Sequence, residues 1–99
     1  MRLKYHTSLS AEASFQRLGE RIRAARKHKR LTLNDLENRC GVHRTTLSRL
    51  EAGDPSVSFA VLLAVLEALG FLSDIEAVIS SPAKAIPAAK KIPELDRNF

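Results

Sequence analysis

The sequence predicts an all-α fold, a compact domain of five helices followed by a flexible tail. Three observations predict it. Apolar residues recur at helical spacing in successive segments, and Ser, Thr and Gly stand where those segments would begin and end. No segment alternates apolar and polar residues as a half-buried strand would.

The first predicted helix covers residues 11–29, where Phe15, Leu18, Ile22 and Ala25 share a face. Ser10 stands as its N-cap and Glu12 lies in its first turn. Arg26, Lys27 and Lys29 gather at its end, where cations offset unpaired carbonyls. The second, LNDLENRC, is capped by Thr32 and closed by Gly41, with Leu33, Leu36 and Cys40 on one face. The third runs from about His43 to Ala52 and stops at the turn Gly53, Asp54, Pro55. Ser58 caps the fourth, FAVLLAVLEAL, which Gly70 ends. That segment is apolar on nearly all sides and so must be buried on more than one. Phe59, Leu62, Leu63, Leu66 and Leu69 are assigned to the interior. Ser73 and Glu76 have capping-box spacing and open a fifth helix. The chain thus divides into a flexible arm (1–10), a folded domain (11–80) and a Pro-, Ala- and Lys-rich tail (81–99) that cannot bury much.

The length of 99 residues suits one small domain. The net charge of +5 is unevenly spread: Lys and Arg crowd the chain before Asp54, and none lies between Pro55 and Ser81. A basic first half and an apolar second half imply two surfaces with two jobs, one of them facing a polyanion. Cys40 is the single cysteine, which excludes an intramolecular disulfide and fits a reducing compartment. The N-terminal residues lack the apolar core of a secretory leader. FAVLLAVLEALGFL is interrupted by Glu67 and Gly70 and falls short of the ~20 residues that span a bilayer. A cytoplasmic protein is expected. His6, His28 and His43 have no ligand-like spacing, so no metal site is expected. Cys40 and His43 read as a core thiol and a helix-start residue rather than a nucleophile and its base. With no phosphate loop or paired acid and base, neither a cofactor nor an enzymatic activity is expected.

The stretch CGVHRTTLSRLEAG, residues 40–53, is the most informative. At about 100° per residue, Arg44, Thr45, Ser48 and Arg49 occupy one arc of its helix, while Leu47 and Leu50 lie opposite. One face packs and the other offers two guanidinium forks and two hydroxyls. Arg matches the paired acceptors of guanine in the major groove, and hydroxyls serve bases or phosphates. A short preceding helix and a tight turn at Gly41 would hold this helix out from the body.

Residues 18–53 resemble the Xre and lambda-repressor-and-Cro-like helix-turn-helix family. The resemblance rests on Leu18, Ile22, Arg26, Thr32, Leu36, Gly41, Val42, Thr46, Leu47, Ser48, Leu50, Glu51 and Gly53. It implies a small helical domain binding double-stranded operator DNA as a homodimer, in a cytoplasmic protein of bacterial or phage origin. Arg44 and Thr45 take the main base-reading places, and Ser48 and Arg49 meet bases or backbone one turn later. Thr32 and Thr46 take phosphate positions, and Lys29, Arg30 and His43 are placed with them. Arg26 and Glu51 match a structural pair that ties the first helix to the end of the third. Three positions depart from the family pattern: Leu33 replaces a preferred Gln, Glu37 a preferred small residue, and His43 a Ser-type cap.

A second apolar set, Phe71, Leu72, Ile75, Val78 and Ile79, exceeds what the core needs and is assigned to a homodimer interface. The leading reading is a DNA-binding transcriptional regulator acting as an autorepressor on a palindromic operator. The alternative, from resemblance to HipB-like antitoxins, is an antitoxin that also neutralises a HipA-like kinase toxin, with the tail as a candidate partner-binding segment.

Overall fold

The computed structural model describes residues 8–83. Most of the expected arm lies outside the described residues, as does the tail from residue 84. Among the described residues there are four α-helices and one 3-10 helix, and no strand.

Helix α1 spans Leu9–His28. It starts earlier than the sequence suggests, because Ser8 rather than Ser10 adopts the extended cap conformation and accepts a hydrogen bond from the Ala11 N–H at 3.0 Å. Helix α2 spans Leu33–Cys40 and opens with a reciprocal capping box. Thr32 Oγ1 accepts from Asp35 N at 3.0 Å, and the Asp35 carboxylate accepts from Thr32 N at 2.8 Å. The Thr32 N–H, and after it the Thr32 side chain, hold the Asp35 carboxyl below its ordinary range. Gly41 closes α2 in the left-handed conformation (φ 73°). Helix α3 spans Arg44–Glu51, and α4 spans Phe59–Leu69 behind its Ser58 cap.

Each α-helix contributes to one core: Ile22 from α1, Leu36 from α2, Leu47 and Leu50 from α3, Val65 and Leu69 from α4. Helix α1 packs on α3, and α2 packs on both α3 and α4. Two expectations for the second half need correction. Phe59 is 60% exposed rather than interior, because it begins α4 and the buried side of that helix is carried by Val65, Leu66 and Leu69. The fifth helix is a 3-10 helix, Leu72–Ala77, with Ser73 inside it and no side-chain cap. It has only six residues and buries none of them. A segment that short and that poorly anchored cannot offset the cost of α-helix nucleation.

Three helices end on the same pair of backbone bonds. At the end of α1, Arg30 N donates to Lys27 O and Leu31 N to Arg26 O. Gly53 and Asp54 repeat the pattern after α3, and Gly70 and Phe71 after α4. The pivot residue must be left-handed, which glycine adopts without penalty. Gly53 and Gly70 hold it at φ 80° and 86°, whereas α1 places Arg30 there at φ 58°.

Candidate nucleic-acid interface

The position of α3 is set from its buried side. A Cβ on Gly19 of α1 would lie 2.5 Å from the Glu51 carbonyl oxygen and 2.7 Å from that of Leu50. Only a residue without a side chain lets α1 approach the end of α3 this closely. Beside this contact, Arg26 Nε donates to Glu51 Oε2 at 2.7 Å and Nη2 to Oε1 at 3.0 Å. Arg26 Nη1 donates to the Leu31 carbonyl at 2.8 Å. The pair is almost fully buried, and Glu51 holds the guanidinium pKa above its ordinary value. Leu47 and Leu50 complete the inward side.

The opposite side is open. Arg44, Thr45, Ser48 and Arg49 are all exposed, and Thr46 is half-buried beside them. Thr32, Lys29, Arg30 and His43 are exposed as well. His43 serves as the N-cap of α3: its Nδ1 accepts from Thr45 N at 3.2 Å and lies 2.8 Å from Thr45 Oγ1. An N–H can only donate, so Nδ1 is the unprotonated ring nitrogen and the Thr45 hydroxyl donates to it as well. In this geometry a lone pair on Thr45 Oγ1 remains to accept, while its proton is engaged. Thr32 Oγ1 accepts at the α2 cap.

Arg49 is more constrained than its exposure suggests. Its Nε donates to Asp54 Oδ2 at 2.9 Å and its Nη2 to Ser56 Oγ at 2.7 Å. Asp54 Oδ1 accepts in turn from Ser56 N at 2.9 Å and Ser56 Oγ at 2.6 Å. Ser56, by its hydroxyl and its N–H, and then Arg49 hold the Asp54 carboxyl down at about 2. Asp54 and Ser56 are absent from the set the sequence singles out. The signal for them was present, since an Asp followed by Pro and Ser favours a turn closed by its own carboxylate.

Lys29 departs from its assigned neighbourhood: its ammonium lies 5.6 Å from the centre of the Phe71 ring, on the apolar side of the domain. Of the departures from the family pattern, Leu33 is half-buried and packs against the core. Glu37 forms no ion pair with Arg39 or Arg44 among the described residues.

A second surface lies away from α3. An open apolar groove of about 550 Å³ runs between α1, α4 and the 3-10 helix, lined by Leu18, Ile22, Phe59, Leu66, Phe71 and Val78 among others. Within that lining Val78 is exposed and Ile75 half-buried, and Leu72 and Ile79 are exposed next to it in the chain. No described helix is long and apolar enough to cross a membrane.

No match was found among curated proteins. A family model described as a helix-turn-helix domain matches residues 17–77, from the third turn of α1 to the end of the 3-10 helix. With α2 and α3 joined through Gly41 and braced on α1 as the family architecture requires, the chain belongs to the helix-turn-helix domain family, of the Xre and lambda-repressor-like kind.

Proposed function

We propose that the protein is a sequence-specific, double-stranded-DNA-binding transcriptional regulator, acting as a homodimer on a palindromic operator and repressing its own gene. One observation carries the reading: α3 buries Leu47 and Leu50 and leaves Arg44, Thr45, Ser48 and Arg49 on its free side. In this arrangement the start of α3 enters the major groove. Arg44 reads a guanine edge, Thr45 and Ser48 supply hydroxyls to bases or backbone, and Arg49 follows one turn later. Thr32, Thr46, Arg30 and His43 flank that contact and neutralise or bond phosphates, which fixes register and makes affinity salt-dependent, while Lys29, turned toward Phe71, is not one of them. The exposed residues Phe71, Leu72, Val78 and Ile79, with the half-buried Ile75, pack against a second copy, so that two α3 helices meet half-sites about 34 Å apart. The antitoxin alternative would turn the same apolar face to a kinase toxin.

The test is fluorescence anisotropy on duplex from the protein's own upstream region, with a scrambled duplex and Arg44→Ala beside it at two salt concentrations. The upstream duplex is expected to win, and Arg44→Ala to remove about 1–3 kcal/mol of that preference. Equal binding of both duplexes, weakening together with salt, would leave only an electrostatic contact. In the same preparation, charged residues at Ile75 and Ile79 should yield monomers by sedimentation. A dimer unaffected by them would remove the assigned interface.

A further inference from the structure

The cluster at the end of α3 carries an inference that goes beyond, and rests on, the DNA-binding reading. The backbone bond from Asp54 N to Arg49 O brings the turn back over the outer face of α3 at 3.0 Å. The Asp54 carboxylate is thereby set beside the Arg49 guanidinium, with Ser56 bonded to both. Arg49 Nε and one Nη2 hydrogen are committed, while Nη1 has no partner among the described residues. Arg49 is thus a planar fork clamped along one edge with the other edge presented outward. An unclamped arginine would reach many phosphates in many rotamers and bind any duplex.

We propose that Asp54 and Ser56 set the sequence specificity of this protein. Together they hold the free edge of Arg49 in one orientation against the duplex, and the Asp54 carboxylate offsets its charge so that it contributes little to indiscriminate phosphate binding. Both are positioning residues: neither needs to touch DNA. Two consequences follow with opposite signs. Loss of the clamp weakens discrimination, because the guanidinium must be ordered at the moment of binding. Loss of the carboxylate also frees a cation, which strengthens binding to any sequence.

The two residues separate these effects. Ser56→Ala removes the acceptor for Nη2 but keeps the backbone N–H that closes the turn onto Asp54. Asp54→Asn keeps an oxygen for that turn and removes the charge. Wild-type full-length protein is first used to enrich duplexes from a randomised pool. Dissociation constants for one enriched and one scrambled duplex are then measured for Ser56→Ala, Asp54→Asn, Arg49→Ala and the two double variants, at two salt concentrations. Ser56→Ala is expected to lower the preference for the enriched duplex roughly 2- to 10-fold, the worth of one ordered hydrogen bond. Asp54→Asn should lower it likewise, bind the scrambled duplex more tightly, and steepen the dependence on log salt by about one. In the Arg49→Ala background both changes should vanish. Unchanged preference and salt slope would overturn the proposal. So would losses that persist without Arg49, since the turn would then act through the fold. A pool from which the wild type enriches nothing would instead overturn the DNA-binding reading, and this proposal with it.

Discussion

Helix α3 carries a guanidinium–carboxylate pair on each side, and the two pairs differ in surroundings far more than in geometry. On the inner side, Arg26 Nε and Glu51 Oε2 stand 2.7 Å apart with their side chains 9% and 8% exposed. On the outer side, Arg49 Nε and Asp54 Oδ2 stand 2.9 Å apart with side chains 46% and 28% exposed. The inner charges have been taken out of water, so each depends on the other, and Arg26 depends also on the Leu31 carbonyl. The outer charges remain solvated, and their attraction is screened. The same chemistry therefore fixes where α3 sits on one side and how one of its side chains points on the other.

The sharpest way to break that contrast is to remove one carboxylate from each pair. Glu51→Ala leaves a buried guanidinium with only the Leu31 carbonyl and should cost about 3 kcal/mol of stability. Asp54→Ala should cost below about 1 kcal/mol. Urea unfolding of the two variants beside wild type checks this, and equal losses would end the distinction between the sides. Gly19→Ala tests the inner side without touching a charge. Alanine is the better helix former by up to about 1 kcal/mol, yet its Cβ would press on backbone oxygens at 2.5 and 2.7 Å that no rotamer change can move. A net loss of about 1–3 kcal/mol is expected in the same assay. A more stable Gly19→Ala protein would mean that α3 is free to shift, and that its placement does not depend on this contact.

These two sides also differ in how much of them the sequence disclosed. Capping residues next to the apolar runs located the starts of α2 and α4 at Thr32 and Ser58, because a cap acts over three residues. The outward arc of α3 was legible for the same reason, since helical phase is a local property. The Arg26–Glu51 contact spans 25 positions and was accessible only through family resemblance. Gly19 gave no signal, because a glycine required by the approach of another helix looks like any mid-helix glycine. Phe59 was misplaced because periodicity in a helix apolar all round cannot say which side meets the core. The fifth helix had cap-like spacing, but it lacks the buried contacts that would have made an α-helix of it.

The smallest expected effect sharpens what the outer side costs the fold. Arg30 pivots the end of α1 at φ 58°, in the same hydrogen-bond pattern that Gly53 and Gly70 serve elsewhere. A side chain in that conformation costs about 1–2 kcal/mol. Replacing it with glycine relieves the strain but loosens the unfolded chain, an opposing effect of roughly 0.5–1 kcal/mol. Arg30→Gly should therefore be more stable than wild type by about 0.5–1 kcal/mol. If Arg30 bonds a phosphate, the same variant should bind duplexes of every sequence more weakly, with a salt dependence shallower by about one. Higher stability with weaker binding would mean that this strained position is held for the interface. Higher stability with unchanged binding would remove Arg30 from the phosphate contacts and confine the outer surface to α3, its cap and the start of α2.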